Sequence, residues 1–186
     1  MKNILHVKSS LNGDQSFSTR LGNAIIDHLK ECYPEIRVTQ RDLVKESFPH
    51  LELPSTQNTG DQVIEEVLNS DILIIGAPLY NFGIPSQLKA WIDHISRAGV
   101  TFNYDENGPN GLVTGKKVYV AMSSGGIYSE GPSEGYDFVS PYLKSVLGFL
   151  GMTDVEIIRV EGTAMAGLKD LALEKAILTL HDEILR

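Results

Sequence analysis

Three short stretches hold the residues best suited to binding chemistry. In SSLNGDQSFST, Ser9, Ser10, Ser16, Ser18 and Thr19 crowd hydroxyls around the start of a helix. A helix N-terminus carries unpaired N–H groups and a partial positive charge. With the N–H groups of Ser16, Phe17 and Ser18, this stretch makes a seat for a phosphate. A serine N-cap beside a polar loop would have the same composition. In Pro78-Leu79-Tyr80-Asn81-Phe82, amides and aromatic faces lie close together. Such a loop can donate N–H groups to the edge of a heterocycle while Tyr80 or Phe82 packs on its face; it could equally be an apolar plug on the end of a sheet. In Ser123-Ser124-Gly125-Gly126 two glycines let backbone approach a ligand closely, or simply turn the chain.

These stretches acquire meaning from the elements around them. Ile4–Val7 is a short apolar run that ends just before the first. Leu21, Ala24, Ile25, His28, Leu29 and Cys32 then recur at helical spacing, and Pro34 closes the helix. Glu35–Leu43 reads as a second strand, Phe48–Gly60 as a loop rich in Pro, Ser, Thr and Asn, and Asp61–Asn69 as a short helix. Ile72–Ile75 is apolar throughout, the mark of a strand buried on both faces. Pro85 is expected in the first turn of the helix whose inner stripe is Leu88, Trp91, Ile92 and Ile95. Thr101–Thr114 has turn signals at Asn107-Gly108 and Asn110-Gly111 and reads as a hairpin or excursion. Lys117–Met122 and Val155–Val160 are strands, separated by the Gly-, Ser- and Pro-rich segment 123–136 and a helix over Pro141–Leu150. A last helix carries Leu173, Ala176, Ile177, Leu180 and Ile184 on one face.

Five strands alternating with helices predict a three-layer α/β sandwich with a five-stranded parallel sheet, in a single domain spanning 1–186. In such sheets ligands sit beyond the carboxyl ends of the strands, at the switch point. The three stretches above follow the first, third and fourth strands, so all three are placed at one edge.

Composition limits the alternatives. Lys plus Arg is 16 against 24 Asp plus Glu, a formal net charge of −8, which argues against broad binding of nucleic acid or anionic membranes. Cys32 is the single cysteine and reads as a small apolar residue on a helix face, with no intramolecular disulfide or cysteine metal cluster available. The five histidines are scattered without metal spacing. MKNILHVKSS is too short and polar for a signal peptide, and no apolar run is long enough to cross a membrane, so the expected location is the cytoplasm. No G-x-G-x-x-G follows the first strand. NGLVTGKK imitates a phosphate-binding loop but holds Asn110 where glycine is required and Lys117 where Ser or Thr is required, and it precedes a strand.

KSS with S-x-S, APLYNFGIPSQLKAWIDHISRAGVTFNY, ENGPNGLVTGKK, SSGGIY and VSPYLKSVLGFLGMTDVEII together resemble the FMN-dependent NADH:azo-compound reductases, also called quinone reductases, over nearly the whole chain. The resemblance implies a flavodoxin-like fold with strand order 2-1-3-4-5. It implies one FMN bound non-covalently per subunit, NADH as donor, and a homodimer with its sites at the interface. By resemblance, Ser10 with Ser16, Phe17 and Ser18 would hold the phosphate and ribityl end. Pro78, Leu79, Tyr80, Asn81 and Phe82 would hold the isoalloxazine, and Ser123, Ser124, Gly125 and Gly126 would cover its other edge. Phe48–Gly60 looks shorter than in many members, Ser124 replaces a bulkier residue, and EGTAMAG looks compressed; each bears on the substrate pocket.

The implied chemistry is a ping-pong cycle. NADH would pass hydride to the flavin N5, and a quinone or azo compound would then take two electrons. No residue is expected to act as a dedicated general acid. Backbone N–H groups of Leu79–Phe82 and Ser123–Gly126 would stabilise negative charge at N1. Azo cleavage to amines would need two cycles. The acidic charge also suits a flavodoxin-type electron carrier that docks on partner proteins, and a ligand-binding protein without redox activity would carry no yellow colour.

Overall fold

The computed structural model describes residues 1–52, 54, 56–106 and 108–184, with side chains through Leu180. Seven strands and five helices follow in chain order: β1 (Lys2–Lys8), α1 (Phe17–Cys32), β2 (Ile36–Asp42), α2 (Gln57–Asn69), β3 (Ile72–Pro78), α3 (Ser86–Ile95), β4 (Phe102–Asp105), β5 (Gly108–Gly111), β6 (Lys117–Ser123), α4 (Val139–Phe149), β7 (Asp154–Val160) and α5 (Lys169–Ile184). The main sheet is parallel, in the order β2-β1-β3-β6-β7. This is the expected 2-1-3-4-5 order, with the hairpin strands β4 and β5 taking two numbers. That antiparallel hairpin lies within the excursion predicted at 101–114, while the expected turn residue Asn107 is outside the described residues.

The period of two in the strands divides the core into two layers. On β3, Leu73, Ile75 and Ala77 face α2, α3 and α4, whereas Ile72 and Ile74 face α1 and α5. Every β3 residue is buried, as a central parallel strand requires. Leu88, Trp91, Ile92 and Ile95 all enter the first layer. Burying one such side chain stabilises the fold by roughly 1.5–3 kcal/mol. An aspartate at Ile74 would therefore break both the layer and the strand.

Several boundaries differ from expectation. Helix α2 begins at Gln57, inside the segment read as loop, because Thr56 bonds back to Glu52 through its hydroxyl and its N–H and folds the chain into the helix four residues early. Pro85 stands one residue before α3, with φ −56° and ψ 145°, and its carbonyl accepts the Lys89 N–H. Helix α4 starts two residues early because Asp137 Oδ1 accepts the Val139 and Ser140 N–H groups. Cys32 is exposed at the last position of α1, where the stripe has rotated clear of the sheet. On α5, Leu173, Ala176 and Leu180 reach the core together with Ala172, while Ile177 is half-exposed; the Ile184 side chain is outside the described residues.

Candidate active site

Strand β1 lies between β2 and β3, so the chain winds away from it in opposite directions. The crevice opens at the carboxyl ends of β1 and β3. Three loops leave the sheet there. After β1, a single 3₁₀ turn at Gly13–Gln15 leads to Ser16, the N-cap of α1. Ser16 does not cap the helix with its side chain: its hydroxyl meets the Ser18 hydroxyl at 2.9 Å, and both are buried. The first-turn N–H groups are thus left for something else, with three buried hydroxyls, Ser10, Ser16 and Ser18, beside them. This donor set matches an anion such as a phosphate monoester.

After β3, Tyr80 and Gly83 exchange two backbone hydrogen bonds of 3.0 Å, closing a tight turn over Asn81 and Phe82. Both central residues have positive φ, 50° and 70°. Asparagine tolerates that region, whereas an aromatic residue is strained there. The Phe82 ring lies 5.3 Å from the Tyr136 ring, and the Phe82 carbonyl accepts the Phe138 N–H. Tyr80 reaches the other way: its phenol oxygen is 3.1 Å from Ser10 Oγ and accepts the Leu11 N–H at 3.2 Å. One side chain therefore ties the loop after β3 to the loop after β1.

After β6, Ser124 donates its N–H to the Val160 carbonyl and its hydroxyl to the Gly126 carbonyl. Its own carbonyl accepts the Thr163 N–H and hydroxyl. A β-carbon at Gly125 would stand 3.3 Å from the Ala164 methyl, so a larger residue would push this turn away from the loop after β7.

The loops meet around an open cavity of about 110 Å³ lined by Ser10, Ser16, Phe17, Pro78, Leu79, Tyr80, Ser123, Ser124 and Gly125, joined by Asn12 and Thr163. Of the remaining predicted residues, Ser18 lies beneath, bonded to Ser16, while Asn81, Phe82 and Gly126 flank the lining. The expected set of backbone donors narrows. Leu79 gives its N–H to the Ser123 carbonyl, Tyr80 to Gly83 and Ser124 to Val160. Among the described residues, no backbone carbonyl takes the N–H of Asn81, Phe82, Gly125 or Gly126. Asn12 and Thr163 were missed by sequence reasoning. Asn12 lay within the hydroxyl-rich stretch, and Thr163 follows β7, a strand whose end borders β6 but not the switch point.

Two larger cavities lie elsewhere. One of about 440 Å³ opens between β1, β2 and α2 and is lined by Asn3, Arg37, Thr39, Glu65 and Glu66 among others. It lies against the flank of the sheet, away from the strand ends where the three loops converge. The other, about 280 Å³, lies between β7 and α5. The lysines of NGLVTGKK act far from the site: Lys116 donates to the Leu68 and Ser70 carbonyls at the end of α2, and Lys117 pairs with Asp154 and Glu156.

A family model described as flavodoxin-like fold matches residues 2–184. An FMN-dependent NADH:quinone oxidoreductase of Ralstonia nicotianae is 44% identical over 200 residues, covering 97% of this chain and 96% of that protein. A protein of Idiomarina loihiensis named FMN-dependent NADH:quinone oxidoreductase 1 is 48% identical over 166 residues, covering 87% and 89%. The crystal structure of an azoreductase from Bacillus anthracis superposes with a TM-score of 0.85 at 29% identity, covering 98% of this chain and all of that one. On its fold, its three converging loops and these likenesses, the chain belongs to the flavodoxin-like family of FMN-dependent NADH:quinone oxidoreductases and azoreductases.

Proposed function

We propose that this enzyme uses FMN and NADH to reduce quinones, and azo compounds to amines, in alternating half-reactions at the cavity between the three loops. The observation that carries this reading is the meeting of an uncapped helix start, buried hydroxyls and two turns with free N–H groups in one cleft. Flavin held there would supply the redox chemistry, two-electron transfer from the nicotinamide to the acceptor.

The chain's residues bind and orient. Ser10 and Ser16, with the N–H groups of Phe17 and Ser18, hold the phosphate. Pro78 and Leu79 form the floor, and Tyr80 fixes the spacing between the first two loops. The N–H groups of Asn81, Phe82, Gly125 and Gly126 are the donors left to face the edge of the ring system and stabilise negative charge there. The cavity is smaller than a typical pocket for a whole ligand, so its rim would have to carry part of the ring system. Phe82, Tyr136 and Phe138 are 46%, 54% and 56% exposed beside that rim. Such a cluster favours burial against a second copy, hence a homodimer with its sites at the interface.

Donor preference follows from charge pairing. Arg41 is held by Glu46 and Glu66, and Arg97 by Asp61. Neither of these guanidiniums is free for a 2′-phosphate, which supports NADH as the donor. The exposed thiol of Cys32 suits a reducing compartment, and we place the enzyme in the cytoplasm. No described helix is long and apolar enough to cross a membrane.

The test is a visible spectrum of the purified protein, followed by anaerobic NADH. A flavin spectrum that bleaches and returns when a quinone is added supports the two-electron relay. A protein that stays colourless with added FMN overturns it, and one that NADH cannot bleach points to an electron carrier.

A further inference from the structure

We infer that Arg159 is a positioning residue for the acceptor side of this reaction, holding the segment 127–138 as an aromatic wall beside the cavity. The inference rests on the function proposed above. Residue 159 is on β7, outside the lining of the three-loop cavity but on that of the cavity between β7 and α5, and its guanidinium pairs with two carboxylates. One Nη donates to Asp137 Oδ2 at 2.7 Å and to Ser140 Oγ at 2.6 Å. The other donates to Met122 Sδ at 3.3 Å and faces Glu161 Oε1 at 3.9 Å.

Each carboxylate pins one end of the same segment. Glu161 accepts the Tyr128 N–H at 2.7 Å, the Ser129 N–H at 3.0 Å and the Ser129 hydroxyl at 2.5 Å. Asp137 caps the start of α4 and accepts the Ser140 hydroxyl at 2.6 Å. Between the two pins runs the 3₁₀ turn Gly131–Tyr136, which has no buried residues of its own. Its position is therefore set at its ends. The payload of the segment is Tyr136, packed on Phe82, and the Phe138 N–H bonded to the Phe82 carbonyl. Phe82 sits in the strained turn that borders the site.

The chain of contacts thus runs from Arg159 through Asp137 and Glu161 to the wall, and from the wall to the turn after β3. The side chains of Asp137 and Glu161 are largely buried, so removing the guanidinium takes from both carboxylates the cation they share. Burial pushes the Asp137 carboxyl up, but the bonds from Ser140 and Arg159 outweigh it and hold it below its ordinary range. The phosphate seat shares none of these contacts.

The first readout needs no flavin. In R159M, hydrogen exchange at the Tyr128, Ser129 and Phe138 amides should quicken about tenfold, with β1 and α1 unchanged. In the loaded enzyme, KM for a quinone should rise about tenfold while kcat and FMN affinity move by less than about threefold. R159K, which keeps the charge on a single donor nitrogen, should recover part of the loss. Unchanged exchange over 127–138 would overturn the inference, as would acceleration spread evenly through the chain or a loss of FMN affinity parallel to the change in KM. If R159M does not fold, D137N weakens the same bridge at its other end and must quicken exchange at Phe138 and raise KM for the quinone; if neither moves, the inference is overturned. A parent protein that takes up no FMN would sink the functional reading alone, because the exchange experiment still decides whether Arg159 orders the wall.

Discussion

Gly22 of α1 lies directly on the ring of His6 in β1. A β-carbon at residue 22 would stand 2.4 Å from His6 Nε2 and 3.0 Å from Cε1. Alanine is the better helix former by about 1 kcal/mol, but overpacking a core costs about 1–3 kcal/mol. Both atoms met first belong to a buried ring with no room to move, so the clash wins. Gly22→Ala should lower stability by about 1–2 kcal/mol in urea titration. The same change made on a His6→Ala background should be neutral or stabilising.

The same ring makes the protein acid-sensitive. His6 is fully buried, and neither ring nitrogen has a hydrogen-bond partner among the described residues. Burial, aided by Lys8 and opposed by Asp42, lowers its pKa from 6.5 to about 4. Between those values the unfolded chain binds more protons than the folded one. This contribution is therefore whole above the unfolded value and is lost as pH falls through the window towards the folded one. The gap corresponds to about 3 kcal/mol. Urea midpoints should fall as pH is lowered from 7 to 4, and His6→Leu should flatten that part of the slope.

Tyr80→Phe removes one phenol oxygen and, with it, both links to the first loop. FMN affinity should fall about five- to tenfold, the equivalent of roughly one hydrogen bond. Quenching of flavin fluorescence on titration measures this. An unchanged affinity would mean that the two loops hold their spacing without the bridge.

At Phe82 the usual order of small substitutions should reverse. Phe82→Ala keeps a side chain at φ 70° and loses the contact with Tyr136. Phe82→Gly loses the same contact but relieves the strain, worth about 1 kcal/mol. The glycine variant should therefore melt higher than the alanine variant, whereas in an ordinary loop the flexible residue is the less stable one. Both should raise KM for a quinone.

Much of this architecture was legible in the chain. Ile72–Ile75 reads as a doubly buried strand because its apolar run leaves no polar face, and the order of elements then places three loops at one edge. What escaped depends on groups far apart in sequence. Nothing local marks Thr163 as a neighbour of Ser124, since their contact exists only because β6 and β7 pair. The turn at Asn81-Phe82 looks like a place for glycine, and its strained form is held by Gly83 and Phe138. Cys32 has the spacing of the buried stripe, but the stripe outlasts the sheet beneath it. The early start of α2 turns on bonds between Thr56 and Glu52 that propensity does not encode.

The pairing of β1 with β3 joins residues 68 positions apart, Ile4 with Ile72 and Leu5 with Leu73, and β6 can add only to the far side of β3. Local contacts alone therefore cannot bring the three loops together. A nascent chain must extend well past β6 before the third loop can arrive, and a topology so rich in distant pairings folds slowly. Flavin capture at this cavity would consequently come late in the life of the polypeptide. It would act as a lock on a finished sheet, stabilising the product of folding by mass action rather than guiding its early steps.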